Sequence, residues 1–254
     1  MKSVDNILIK SQEEIQILRE AGQRLARILE DITRSLKSGM TTRQVDSLAE
    51  NFIRDHKVLS AFKGYRGFPN CLCLSVNQEV VHGIPGPRVL NEGDLVSIDC
   101  GIIHKDYYSD TAVTVGIEKI HPYQQKLIDV TREALYKGIE QAQINNHLSD
   151  ISHAIQRFVE SNHFSVVREF VGHGIGRNLH EEPEIPNYGL PHEGPILKEG
   201  MVLAIEPMVN MGTFKTKILE DGWTVVTEDG QPSAHFEHSI VITEKGPEIL
   251  TRVS

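Results

Sequence analysis

The sequence predicts an α+β fold. A curved antiparallel sheet lies at its centre, helices cover the outer face, and the unit is used twice about a pseudo-twofold axis. Three observations predict it. First, Leu90-x-Glu92-Gly93-x4-Ile98-Asp99 returns as Leu197-x-Glu199-Gly200-x4-Ile205-Glu206, and at the same offset, within one residue, Val45 matches Ile151, Phe52 matches Phe158 and Ile53 matches Val159. A repeat this long is one supersecondary unit duplicated, not a solenoid. Second, each copy runs long helix, short helix, then strands, the order of an α+β domain. Third, both copies close an apolar run on a carboxylate, and two anions meeting at an axis repel unless a cation lies between them. The chain therefore reads as a single domain over 1–254, with halves of about 1–118 and 119–254, and the duplication points to a metal site.

The elements follow in order. Ile15, Leu18, Ala21, Leu25, Ile28 and Ile32 recur at helical spacing through 11–37, Ser11 with Glu14 makes a capping box, and Gly39 ends the helix. Thr42 is expected to cap a second helix from Val45 to about Lys57. Residues 121–144 and 148–162 repeat the pair, with Pro122 near the start of one and Ser149 capping the other. Leu95 to Asp99 and Tyr108 to Gly116 flank a polar turn around His104-Lys105-Asp106 and read as a hairpin. Met201 to Glu206 and Phe236 to Thr243 take the equivalent places in the second half, separated by a longer insertion that contains Trp223.

At 254 residues the chain can bury a full core, and 39% hydrophobic with 24% charged residues is ordinary for a globular domain. A formal net charge of −9 argues against a nucleic-acid surface, which needs a basic field, so DNA is not an expected partner. No apolar run approaches the roughly 18 residues of a membrane span. The start, Met1 to Asn6, lacks the apolar stretch of a signal peptide. Cys71, Cys73 and Cys100 fit neither a disulfide framework nor a structural zinc spacing, so a reduced, cytoplasmic protein is expected.

A turn centred near residues 104–105 would set Asp99 opposite Asp110, with Cβ atoms about 4.5–5.5 Å apart. Carboxylates at that separation can share two ions about 3.5–4 Å apart. Taken alone, either Asp reads as a surface residue at a hairpin mouth. Their company changes the reading. Asp99 follows Leu95 to Ile98, Glu206 ends Val202-Leu203-Ala204-Ile205, and Glu237 enters Ser239-Ile240-Val241-Ile242. Carboxylates at the edges of buried strands are costly unless neutralised. His173, inside Gly172-His173-Gly174-Ile175-Gly176, reads either as a nitrogen ligand or as part of a tight turn.

These residues and their surroundings resemble the methionine aminopeptidases over nearly the whole chain. The matches begin with Cys73-Leu74-Ser75-Val76-Asn77 leading to Val81-His82-Gly83-Ile84-Pro85, and with the Asp99 hairpin carrying Tyr108-Ser109-Asp110-Thr111. They continue through Gly172-His173-Gly174-Ile175-Gly176 with His180-Glu181-Glu182-Pro183, then Glu206-Pro207, then Asp221-Gly222-Trp223-Thr224 with Phe236-Glu237-His238-Ser239. The resemblance implies a duplicated pita-bread fold of type I. The sequence looks like a bare type I chain, without the long insertion that type II enzymes carry between His173 and Glu206 and with no amino-terminal zinc-binding extension expected. The resemblance also implies a dinuclear metal-dependent aminopeptidase that removes the N-terminal methionine of new proteins and prefers a small second residue.

The implied ligands are Asp99, Asp110, His173, Glu206 and Glu237. Asp110 and Glu237 bridge, Asp99 completes one coordination shell, and His173 with Glu206 completes the other. Such a set suits two divalent ions drawn from Co²⁺, Mn²⁺, Fe²⁺ or Zn²⁺, and ligand type does not decide which one the cell loads. Glu206 is also the implied proton shuttle, while His82 and His180 flank the scissile peptide. Tyr65, Phe68, Cys73 and Trp223 match the methionine side-chain pocket, whereas Phe62, Leu179 and His235 depart from the usual residues and bear on its shape. The expected partners are nascent polypeptide N-termini. Lys215 and Lys217 stand near Glu220, Asp221, Glu228 and Asp229, so only weak ribosome contact is expected of a monomer with no membrane partner. Two rival readings keep the fold. One is an aminopeptidase P or prolidase-type hydrolase, whose chains usually carry an extra amino-terminal domain. The other is a non-catalytic relative, which would have lost ligands.

Overall fold

Among the described residues, four α-helices form close to where the sequence pattern predicts them. Helix α1 (Gln12–Ser35) starts at its capping box, where the Ser11 N–H donates to Glu14 Oε2 at 2.9 Å and the Glu14 N–H to Ser11 Oγ at 3.3 Å. It stops at Ser35, with Leu36 already extended; Gly39, at φ +88°, turns the chain so that its N–H reaches Leu90 O. Helices α2 (Thr42–Asp55), α3 (Pro122–Gln141) and α4 (Leu148–Ser161) follow. Two caps differ from expectation. Thr41 rather than Thr42 caps α2, because Gln44 completes a box with Thr41. His147 takes the cap of α4, its N–H accepted by Asp150 Oδ2 at 2.8 Å, and Ser149 Oγ accepts the Glu193 N–H instead.

The computed structural model describes residues 6–253. The start of the chain, where no signal peptide is read, lies outside them up to residue 5. The main sheet contains β1 (Leu59–Ser60), β2 (Leu72–Val76), β4 (Leu95–His104), β5 (Tyr107–Gly116) and β7 (Gly172–Gly174). It also contains β8 (Glu181–Ile185), β9 (Val202–Ile205), β14 (Glu237–Thr243) and β15 (Gly246–Ile249). Strands β3 (Glu79–Val81), β11 (Thr216–Ile218) and β12 (Val225–Thr227) make one small sheet, and β6 (Ser165–Val166), β10 (Met208–Asn210) and β13 (Ser233–His235) another. Along the main path the order is β1-β4-β5-β14-β9-β7-β8, with β2 on β4 and β15 on β14.

That order has a centre. The β4–β5 hairpin lies on one side and the β9–β14 antiparallel pair on the other. They meet only through Glu237↔Ala112 and His238↔Thr111. Hydroxyls hold this short seam. Thr111 Oγ1 donates to Glu237 O at 2.7 Å, and Ser239 Oγ donates to Asp110 O at 2.7 Å while accepting the Asp110 N–H at 3.2 Å. Thr114 Oγ1 donates to His235 O and accepts the His235 N–H, both at 2.8 Å. The repeat also shows in the backbone: Gly93 and Gly200 both adopt left-handed φ, +93° and +80°, as the chain turns into β4 and β9.

The hairpin register departs from expectation. Its turn is Lys105-Asp106, with φ values of 50° and 64°, both positive as a two-residue I′ connection requires. Asp99 therefore pairs with Ala112, and Asp110 pairs with Gly101. The two carboxylates are diagonal neighbours rather than directly opposite. The shift is two residues and the strand period is also two, so both still point to the same face.

Alternation sends Leu72, Leu74, Ile98 and Ile102 outward, under Leu25, Ile28 and Ile32 of α1 and Val45 and Ile53 of α2. On the other side Leu203, Ile205, Ile240 and Ile242 pack against Leu127, Leu135, Ile151 and Ile155 of α3 and α4. Among the described residues no helix is long and apolar enough to cross a membrane. Because Thr114 alone satisfies both backbone polar groups of buried His235, Thr114→Val should destabilise the fold by about 1–3 kcal/mol. Urea denaturation of the two proteins, read by circular dichroism, measures the difference.

Candidate metal centre and substrate pocket

Register gathers the five predicted donors on the face turned away from the helices. Asp99 and Glu237 are paired with Ala112 from its two sides, and Asp110 lies two residues before Ala112 on the same strand. His173 is paired with Ala204, two residues before Glu206. Residues directly opposite, or two apart along a strand, share a face. All five accordingly line one cavity.

Asp110, His173 and Glu237 are buried, and each offers a ligand atom within 4.8 Å of the other two. Asp99 Oδ1 and Glu237 Oε1 are buried without any hydrogen-bond partner, while the Asp99 and Asp110 carboxyls hydrogen-bond one another. Among the described residues, no Lys or Arg pairs with any of the four acids; only His173 and His235 approach Glu206, each at 3.5 Å. Burial pushes Asp99 up to about 7 and Glu206 up to about 8. Burial and the neighbouring carboxylates drive Asp110 and Glu237 well above the usual carboxylate range.

His173 responds in the opposite sense, since burial disfavours its cation and pulls it down to about 3. Its Nδ1 lies 2.9 Å from Gly174 O, which can only accept, so Nδ1 carries the proton and Nε2 presents a lone pair to the cavity. Four uncompensated acids, two of them with orphaned oxygens, and one neutral imidazole form a donor set that fits divalent cations.

Beside the donors the cavity turns apolar. Phe68 meets Trp223 edge-on at 5.1 Å, and Trp223 in turn meets His82 at 6.3 Å. Cys73 sits on β2 opposite Asp99, and Tyr65 OH lies 2.8 Å from His180 Nδ1. His82 adopts φ +60°, and burial pulls it down to about 4, so it is neutral near pH 7. His180 is exposed at the mouth, its ring 4.4 Å from that of His173. Every candidate residue from the sequence therefore lines this cavity: His82, His180, Tyr65, Phe68, Cys73, Trp223 and the five donors.

Phe62 and Leu179 line it as well, whereas His235 sits beside Glu206, its buried Nε2 3.5 Å from Glu206 Oε2 without a hydrogen bond. Sequence reasoning missed Arg66, which also lines the cavity and stacks its guanidinium over Tyr65 at 5.3 Å. The only local signal for it was the pair of glycines, Gly64 and Gly67, that bracket this turn.

An acidic metal-binding face beside an apolar side-chain pocket, carried on a duplicated antiparallel sheet, defines a metal-dependent peptidase of the pita-bread class. Comparison with known proteins agrees. The profile of metallopeptidase family M24 matches residues 16–244. The chain is 52% identical to a methionine aminopeptidase of Clostridium perfringens, the match covering 97% of this chain and 99% of that one. It superposes on the crystal structure of methionine aminopeptidase from Thermotoga maritima with a TM-score of 0.95, at 46% identity over 97% of this chain and 99% of the other. A prolidase from Pyrococcus furiosus, 22% identical with a TM-score of 0.78 over 97% of this chain and 66% of the prolidase, shares the fold. The chain belongs to metallopeptidase family M24 and, within it, to the methionine aminopeptidases.

The raised carboxyls link metal-free stability to pH. Each binds its proton more tightly folded than unfolded, so its stabilisation is complete below about pH 4 and is gone above the folded values, about 7 for Asp99 and about 8 for Glu206. Chelated protein should lose melting temperature steadily between about pH 5 and 9. Saturating Mn²⁺ should raise it more near pH 8.5 than near pH 5.5. Scanning fluorimetry with chelator and with metal checks both.

Proposed function

We propose that this chain hydrolyses the first peptide bond of newly made polypeptides that begin with methionine and carry a small second residue, using two divalent cations held by Asp99, Asp110, His173, Glu206 and Glu237. One observation carries the reading: four carboxylates converge on one dry face with no Lys or Arg paired to them among the described residues, beside an apolar pocket. Asp110 and Glu237, which flank the central seam, would hold both ions; Asp99 would serve one, and His173 with Glu206 the other. Bound cations supply Lewis-acid polarisation of the scissile carbonyl and acidify the attacking water.

The chain's own groups do the rest. Glu206, held as a carboxylate beside the bound cations, takes the proton of the attacking water and returns it to the leaving amine. His82, neutral and set on a left-handed turn, lies beside the amide nitrogen, and His180, oriented by the Tyr65 hydroxyl, lies beside the developing oxyanion. Tyr65, Phe68, Cys73 and Trp223 enclose the unbranched thioether, which a flat aromatic wall and a small soft group accommodate. Three free buried cysteines suit a reducing cytoplasm, where nascent N-termini emerge. The protein works there as a monomer with at most weak ribosome contact.

The test is methionine release from Met-Ala-Ser. Activity should vanish on chelation and return with Mn²⁺, Co²⁺ or Fe²⁺. An Xaa-Pro peptide should react at least about a hundredfold more slowly. Comparable or faster cleavage of the Xaa-Pro bond would identify a prolidase-type hydrolase instead. Asp110→Asn should purify with less than about half the wild-type metal content by elemental analysis, and unchanged content would remove Asp110 from the ligand set.

A further inference from the structure

We propose that Lys10 is a positioning residue for the reaction, reaching across the fold to hold the loop that presents His180. The inference rests on the reading of His180 as a group beside the scissile peptide. The segment leading into α1 belongs to the first half but is paired with the second: Ile9 bridges Met201, and the Lys10 N–H donates to Gly200 O at 2.9 Å. From there Lys10 Nζ pairs with Glu181, the residue that follows His180, and both side chains are only 5% exposed. Glu181 Oε1 accepts the Asn178 N–H at 3.1 Å, which ties the loop to itself. The space is shaped for the lysine. A Cβ on Gly176 would fall 2.4 Å from Lys10 Cε and 2.9 Å from Glu181 Oε1.

The other flank of the loop is gripped by the same stretch of chain. Arg177 Nε lies 3.6 Å from Glu14 Oε1, and its guanidinium covers the Tyr107 ring at 4.6 Å. The Tyr107 hydroxyl donates to the same Glu14 oxygen at 2.6 Å. Residues 10 and 14 thus fix positions 181 and 177, one on each side of His180. The imidazole is exposed at the cavity mouth with the Tyr65 hydroxyl as its hydrogen-bond partner, so the backbone on either side sets how its ring meets Tyr65 and the cavity. An ion pair this dry contributes little net stability compared with well-packed apolar groups, because desolvation offsets the Coulombic gain. Its value lies in direction: a lysine on one half and a carboxylate on the other can meet in one geometry, and a displacement of about 1 Å at a reacting group can cost about a hundredfold in rate.

Lys10→Met keeps the aliphatic stem and removes the charge. With Met-Ala-Ser as substrate, its kcat should fall about ten- to a hundredfold with KM little changed and bound metal per chain unaltered. The His180 ring resonances in a ¹⁵N-histidine spectrum should shift, while those of His238 stay. Lys10→Arg, still able to pair with Glu181, should recover most of the kcat. Arg19→Ala removes an ion pair of α1 itself, the one to Glu248, and should lower melting temperature while leaving kcat unchanged.

Wild-type kcat with unmoved His180 resonances in Lys10→Met overturns the proposal. So does a loss that tracks missing metal, or one that Arg19→Ala reproduces. If Lys10→Met does not fold, Glu181→Gln is read by the same measurements. If the wild-type protein releases no methionine, the catalytic reading fails, and the His180 resonances alone decide whether Lys10 sets that ring.

Discussion

Mutual repulsion among four desolvated carboxylates is the constraint around which this fold is arranged. Asp99, Asp110, Glu206 and Glu237 share one buried sheet face where, among the described residues, no Lys or Arg pairs with them, and burial pushes their protonation upward. Such a face is costly in isolation and becomes favourable only when divalent charge is shared among its oxygens. The apolar layers behind it, under α1 and α2 on one side and α3 and α4 on the other, supply the burial that offsets this cost.

Duplication solves the geometric half of the problem. Each half contributes an antiparallel pair with acids on its concave face, and the pairs join at a seam too short for a full ladder. Thr111, Thr114 and Ser239 replace the missing backbone bonds with hydroxyl bonds, which lets the sheet curve while Asp110 and Glu237 stay adjacent. The apolar pocket is likewise shared. Tyr65, Phe68 and Cys73 come from the first half, and Leu179 and Trp223 from the second, so it closes only when the two meet. His173, its tautomer set by Gly174 O, adds a nitrogen lone pair without adding charge.

Much of this was legible along the chain. The Ser11–Glu14 box, the apolar stripe of α1 and the apolar run that ends at Asp99 are local patterns, and the helix and strand periods of 3.6 and 2 survive small errors in boundary. For that reason a hairpin register displaced by two residues still left Asp99 and Asp110 on one face. The caps at Thr41 and His147 were misplaced because several neighbouring residues can accept the same N–H, and only the acceptor three positions on decides between them. Arg66 escaped notice because an arginine on an exposed turn has no pattern that marks it as part of a cavity.

Periodicity and the internal repeat were enough to say which side chains share a face and that two equivalent units bring carboxylates together, which points to a cation. The roles of His82, His180 and Glu206 were implied only by the resemblance to a known family. The same patterns could not say which strands of the two halves become neighbours or how close the donors come. The β5–β14 seam, the bracketing of Glu206 by two imidazoles and the pairing of Lys10 with Glu181, 171 residues apart, exist only once the halves close. Contacts of that range are selected by packing and desolvation over the whole molecule, and no window of sequence contains both partners.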